Sequence, residues 1–175
     1  QETEKPTLVK TAPRRISPIN VYYHFFTGEK LLALDALKTV YEYALRQNVI
    51  PIFTSEYAKV VKGFLKGEIY RMDDGGWQLK DYGFCRTIRL DHPKKYPDLE
   101  KSRGVLGFAE WQNYIYIHLK NQNAATLYLA DHKPEVPYLE ESSVITNNET
   151  IQKEKITLDA RGIQDAFFRF RRLNV

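Results

Sequence analysis

Cysteine is almost missing from this sequence: Cys85 is the only one in 175 residues. That excludes an internal disulfide framework and a cysteine-rich zinc site. A lone thiol among apolar neighbours reads as a small buried hydrophobe rather than a nucleophile. Long apolar runs are missing too. No stretch approaches the ~20 residues that a membrane-crossing helix needs, and no secretory signal pattern is present. The four histidines stand at positions 24, 92, 118 and 132. They form no His-x-x-His, His-x-x-x-His or His-Glu-x-x-His pair, so the chain carries no recognisable metal cage of its own. Asp91-His92 and Asp131-His132 fall in Pro-containing loops and read as solvated turns. Asp73-Asp74-Gly75-Gly76 lacks the further oxygen ligands and distal Glu of a calcium loop and reads as a hairpin turn. Gly104 to Gly107 does not have phosphate-loop spacing. A concentrated basic stripe is also lacking. The net charge is only +4 and Lys and Arg are dispersed, which argues against a nucleic-acid partner. The run Arg169-Phe170-Arg171-Arg172 reads as a strand alternating between core and solvent.

Apolar and aromatic residues are plentiful. The apolar fraction is 43%, with 12 Tyr, 9 Phe and 2 Trp, which is enough for a real core and not a disordered composition. At this length one domain or two small ones are expected. Residues 1–18 hold Pro6, Pro13 and Pro18 among charged residues and read as a leader or linker. Ile19 to Phe26 is almost continuously apolar, as in a strand of a parallel sheet covered on both faces. From Glu29 to Gln47, Leu34, Leu37, Tyr41, Ala44 and Leu45 recur at helical spacing opposite Lys30, Asp35, Lys38, Glu42 and Arg46. Val49 to Phe53 is a second short strand, set at an edge by Pro51. Thr54 or Ser55 caps a second helix with Glu56 in its first turn, Tyr57, Val60, Val61 and Phe64 on one face, and Gly63 and Gly67 where it should end.

After Gly67 the pattern changes to short alternating runs: 68–72, 77–80, 85–90, 105–108, 114–119, 126–130, 156–158 and 167–172. Turn clusters divide them, among them Asn121-Gln122-Asn123 and Thr146-Asn147-Asn148. Such spacing predicts an antiparallel β-sandwich. The fold class is therefore α+β: a β-α-β-α segment over 19–66, then a sandwich module over 67–175.

Two groups of residues carry chemistry. His24 stands near the carboxyl end of the first expected strand, where barrel and open-sheet enzymes keep their active sites. An imidazole there suits general acid or base work, though a structural histidine in an aromatic core has the same sequence signature. In the strand-rich part, Tyr114, Tyr116 and His118 alternate with Ile115, Ile117 and Leu119. With the aliphatic face in the core, the aromatic face, joined by Trp111 or Trp77, offers a stacking platform for sugar rings. Packing against the helical half or a partner domain explains the same pattern, and Trp77 is expected beside its hairpin turn.

The order of these elements resembles the closing portion of the NodB-like polysaccharide deacetylases: an apolar-x-His at a strand end, a helix with Ala36-Leu37, a short strand, and a Thr54-Ser55-Glu56 helix start. The wording Tyr22-Tyr23-His24-Phe25-Phe26-Thr27-Gly28-Glu29-Lys30, then Ser55-Glu56-Tyr57 and Ser102-Arg103-Gly104-Val105-Leu106-Gly107-Phe108, is most similar to PelA-type biofilm exopolysaccharide proteins. The resemblance covers about residues 19–120. It implies that His24 is the general acid and that Tyr22 stands where the family has the Leu of its acetyl pocket. Trp111, Tyr114 and Tyr116 are then the candidate substrate-binding residues. It also implies a polysaccharide substrate, a periplasmic or secreted location, and an upstream deacetylase barrel of the same protein as partner, with no membrane span. The family's metal-binding Asp and His-x-x-x-His and its base Asp are not in this sequence. No metal is therefore expected in this chain, and the divalent ion, zinc, belongs to the complete enzyme. The chain by itself is expected to be inactive. A non-catalytic carbohydrate-binding or scaffold module is the alternative.

Overall fold

The computed structural model describes residues 18–47, 49–152, 155–162 and 165–172. The leader expected over 1–18 lies outside them except for Pro18. Contacts divide the chain into two compact units that meet in sequence at Val49 and Ile50. The second helix thus belongs with the strands, whereas the sequence pattern suggested a boundary near Gly67.

In the first unit, residues 19–24 have no regular structure, and a short 3-10 helix follows at Phe25–Glu29. It opens with the Thr27 N–H donating to the His24 carbonyl at 2.9 Å. Helix α1 then spans Leu31–Leu45. The strand expected at Ile19–Phe26 is not formed, and neither is the one at Val49–Phe53. The β-α-β-α segment is thus corrected to irregular chain and helices. A strand satisfies its backbone only through a neighbour, and among the described residues no strand pairs with either stretch. No residue of α1 is fully buried. Leu34, Leu37 and Ala44 of its expected apolar face are half-buried, but Tyr41 and Leu45 are exposed.

The second unit opens with α2, Thr54–Lys66. Glu56 Oε2 accepts the Phe53 N–H at 3.0 Å, satisfying one of the donors that a helix start leaves unpaired. Gly67 ends the helix, its N–H donating to the Gly63 carbonyl at 2.8 Å. Gly63 itself lies in the helix interior and is buried, correcting the expectation that it marks the end. The reason is close approach. A Cβ at Gly63 would meet the Tyr82 carbonyl oxygen at 2.0 Å, so only glycine lets this turn of helix touch the loop before the third strand. Tyr57, Val60 and Val61 are half-buried, whereas Phe64 points to solvent at 64% exposure.

The strands are antiparallel and lie in small sheets that do not close. One sheet has the order β1 (Glu68–Arg71), β2 (Trp77–Lys80), β7 (Ala124–Leu127). Another has the order β3 (Thr87–Asp91), β6 (Tyr114–Leu119), β5 (Val105–Trp111). Two-stranded pairs join β4 (Tyr96–Pro97) to β8 (Leu129–Ala130), β9 (Tyr138–Ser142) to β12 (Phe168–Arg171), and β10 (Ile145–Ile151) to β11 (Ile156–Arg161). The expected α+β class with antiparallel strands after Gly67 holds at this level. Leu79, Ala125 and Leu127 of the first sheet pack with Phe108, Ile115, Ile117 and Leu119 of the second in one core cluster. Tyr138 of β9 stacks on Phe108 with ring centroids 4.8 Å apart. At the bulge in β5, a Cβ on Gly107 would lie 2.2 Å from the Leu139 carbonyl oxygen, so β9 runs against bare backbone there.

Candidate functional site

His24 precedes the 3-10 helix with an extended backbone, φ −84 and ψ 140. Its side chain is exposed. The imidazole stacks on Phe26 at 4.9 Å with the planes 8° apart, and Tyr22 meets it edge-on at 5.4 Å. The extended backbone at His24 and the 3-10 turn that begins at Phe25 together set Tyr22, His24 and Phe26 side by side. Among the described large hydrophobic side chains, Tyr22 and Phe25 are exposed at 79% and 89%. Among the described residues, no group of three or more His, Cys, Asp or Glu side chains could hold a metal ion.

The aromatic face of β6 is only partly at the surface. Tyr114 is half-buried and Trp111, its cross-strand neighbour at the end of the β5–β6 hairpin, is 37% exposed. The two-residue connection is sharp, and Gln112 takes φ +52. Tyr116 is buried at 8% exposure, so its ring is withdrawn from the open platform that the alternation suggested. The reason lies on that same face: His118, two residues on, donates from Nε2 to the Glu140 carbonyl of β9 at 2.9 Å. The strand is thus buried on both faces, with Ile115, Tyr116 and Ile117 all buried in succession. Trp77 is half-buried against the core, beside its hairpin as expected.

Two residues of the surface cluster were not anticipated. Arg89 of β3 sits with its guanidinium carbon 4.9 Å from the Tyr114 ring centroid. Its Nε and Nη2 both donate to Asp91, at 2.6 and 3.1 Å. That carboxylate pushes the Arg89 pKa above its ordinary value. His92, at φ +46, places its ring 6.0 Å from Tyr114. The legible signal was the alternation Arg89-Leu90-Asp91, which puts both charged groups on the face away from the core. Trp111, Tyr114 and Arg89 together make an aromatic and cationic tip at this end of the hairpin.

A buried polar link ties the strand-rich unit together. Arg86 donates through Nη1 to the Thr146 carbonyl at 2.7 Å and to Glu149 Oε1 at 3.3 Å, and Thr146 Oγ1 donates to the same carboxylate at 2.7 Å. Burial lowers the pKa of Arg86, opposed by the Glu149 charge. This network is structural: it fixes β10 against the start of β3.

Comparison with known proteins adds no relative: no family model, no curated protein and no solved structure matches the chain.

Proposed function

We propose that this chain is the carboxy-terminal part of a polysaccharide-modifying protein of the deacetylase kind. In this reading residues 19–47 join an upstream barrel and the strand-rich unit acts as a sandwich-like module that engages the glycan. The observation that carries it is the apolar surface that the described residues of the first unit leave exposed. Phe25, Leu31 and Leu32 are more than 80% exposed, and Tyr22, Tyr41 and Leu45 are exposed beside them. Burying a side chain of this kind is worth about 1.5–3 kcal/mol, so such a surface calls for a covering partner.

In this reading water adds to the acetyl carbonyl carbon, the amide C–N bond breaks to release acetate, and His24 gives a proton to the departing amine of the N-acetylhexosamine. The described residues do not fit a metal ion. In this reading this chain's part is proton delivery and substrate holding, and the metal of the complete enzyme would be held upstream. The test is acetate release from an N-acetylhexosamine polymer by the whole enzyme. His24→Ala should lower turnover by about 10²–10⁴-fold, the usual worth of a general acid. Unchanged turnover refutes the role.

A second reading, a non-catalytic carbohydrate-binding module, is supported by the Trp111–Tyr114–Arg89 tip. Oligosaccharide titration read by tryptophan fluorescence tests it, with Trp111 as reporter. No spectral change with any glycan removes it.

A further inference from the structure

The Asn147-Asn148 pair, expected as a turn, lies inside β10 and makes it bulge. Asn148 takes φ +50, and the register with β11 slips between Asn147 and Thr150. Bulges re-aim side chains. Here Asn121, just beyond β6, donates from Nδ2 to Asn147 Oδ1 at 2.8 Å, and Asn148 Nδ2 donates to Asp159 Oδ2 of β11 at 2.6 Å. These groups line an open groove of about 430 Å³ whose other wall is the first turns of α2. That volume lies within the ~300–1,000 Å³ of small-molecule sites.

The lining selects among ligand classes. It holds two carboxylates, Glu56 and Asp159, and two cations, Lys59 and Arg161. Arg161 Nη1 stands 4.0 Å from Glu56 Oε1, and Lys59 Nζ lies 5.0 Å from the Phe84 ring centroid. The charges balance, so neither an anion nor a cation is favoured. What remains is a wall of amides and carboxylates, offering donors and acceptors side by side, with one aromatic ring. A hydroxyl both donates and accepts, and pairs with either neighbour. A pyranose adds an apolar face for the ring.

We propose that this groove binds an uncharged pyranose oligomer, held by Asn121, Asn147 and Asp159 with Phe84 against a sugar face. This deepens the polysaccharide reading above and rests on it. The groove lies at the opposite end of β6 from Trp111, about 20 Å away for six residues of strand, so the two surfaces are tested independently.

Calorimetric titration of the whole chain with neutral hexose and N-acetylhexosamine tetramers, and with amine and uronate tetramers of equal length, decides it. The neutral tetramers should bind. Asn121→Ala and Asp159→Asn, both at exposed positions, should each weaken binding about five- to ten-fold, the worth of one or two hydrogen bonds. Arg71→Ala, at an exposed position of β1 that lines neither surface, should leave it unchanged. Thermal unfolding checks the fold, and if Asp159→Asn is unstable Asn121→Ala carries the test. Tighter binding of the charged tetramers overturns the ligand class. Loss of binding in Trp111→Ala, with both groove variants unaffected, overturns the groove but keeps the glycan reading. No binding of any oligomer to the wild-type chain overturns both.

Discussion

When Gly63 of α2 is replaced by Ala, two effects of opposite sign compete. In a solvated helix the change stabilises by about 0.8–1.0 kcal/mol, because glycine has more backbone freedom to lose. In this structure the new Cβ would stand 2.0 Å from the Tyr82 carbonyl oxygen and 2.9 Å from its carbon, where contacts under 3.0 Å essentially never occur. Helix and loop would have to part by about 1 Å, and the loop is poorly able to yield. Tyr82 is 5% exposed, its hydroxyl donates to the Lys120 carbonyl at 3.2 Å, and its own carbonyl accepts the Cys85 N–H at 2.8 Å. Overpacking against rigid backbone costs about 3 kcal/mol, the upper end of its usual range. The net is a loss of about 2 kcal/mol, or a Tm lowered by roughly 4–8 °C for a chain of this size. Urea and thermal melts measure it. Ala58→Gly, at an exposed position of the same helix, is the control and should cost about 1 kcal/mol through propensity alone. A Gly63→Ala protein as stable as the wild type would refute the packing of α2 on the 81–85 loop.

Gly107→Ala should likewise destabilise by several kcal/mol, since its Cβ would meet the Leu139 carbonyl oxygen at 2.2 Å and φ there is +153, a region L-residues rarely adopt; an unchanged urea midpoint would show that β9 does not cross β5 there. Arg86→Met leaves Glu149, whose side chain is only 3% exposed, buried without its cation, and should cost about 3–5 kcal/mol. Adding Glu149→Leu should recover much of that, and a double-mutant cycle with no coupling energy would refute the pair. Burial pushes the Tyr82 pKa up to about 12 from 10.0, so the fold favours the neutral phenol. The folded state then holds the proton more tightly than the unfolded one: this stability is complete below pH 10 and fades between pH 10 and 12. Tyr82→Phe should flatten that alkaline loss in a pH series of melts, and an unaltered profile would count against it.

The strand-rich unit was readable because alternation reports a half-buried strand directly. The runs at 77–80 and 114–119 match β2 and β6 residue for residue. Others shifted by a few positions: 105–108 extends to Trp111, and 126–130 divides between β7 and β8. The short β4 and the strands β9 and β10 went unread. β9 is Tyr-Leu-Glu-Glu-Ser, and its burial comes from Tyr138 and Leu139 alone, too brief for a period of two to register. β10 carries Asn147 and Asn148, which local chemistry assigns to a turn. The positive φ that made asparagine plausible there is real, but it serves a bulge. For the candidate site, Trp111 is exposed but Tyr114 is only half-buried. The burial of Tyr116 did not follow from the pattern, because one-face alternation does not reveal that β9 covers the second face.

The first unit failed in one respect for a more general reason. An α-helix satisfies its own backbone within a few residues, so α1 forms although it buries no residue fully. A strand satisfies nothing alone; Ile19–Phe26 has the residues of a doubly covered strand and no partner among the described residues to pair with. The same sequence thus contains a strand preference and a structure that leaves it unspent, and the side chains that a sheet would cover stand in solvent, Phe25 and Tyr22 foremost. Backbone pairing and apolar cover are both missing over the same few residues. One added surface would supply both at once: a strand edge lying alongside residues 19–24. If such an edge belongs to the proposed barrel, adding that barrel should protect the amides of residues 19–24 from hydrogen exchange and hide the rings of Tyr22 and Phe25 together. Protection of one without the other would mean that the covering surface is not a sheet.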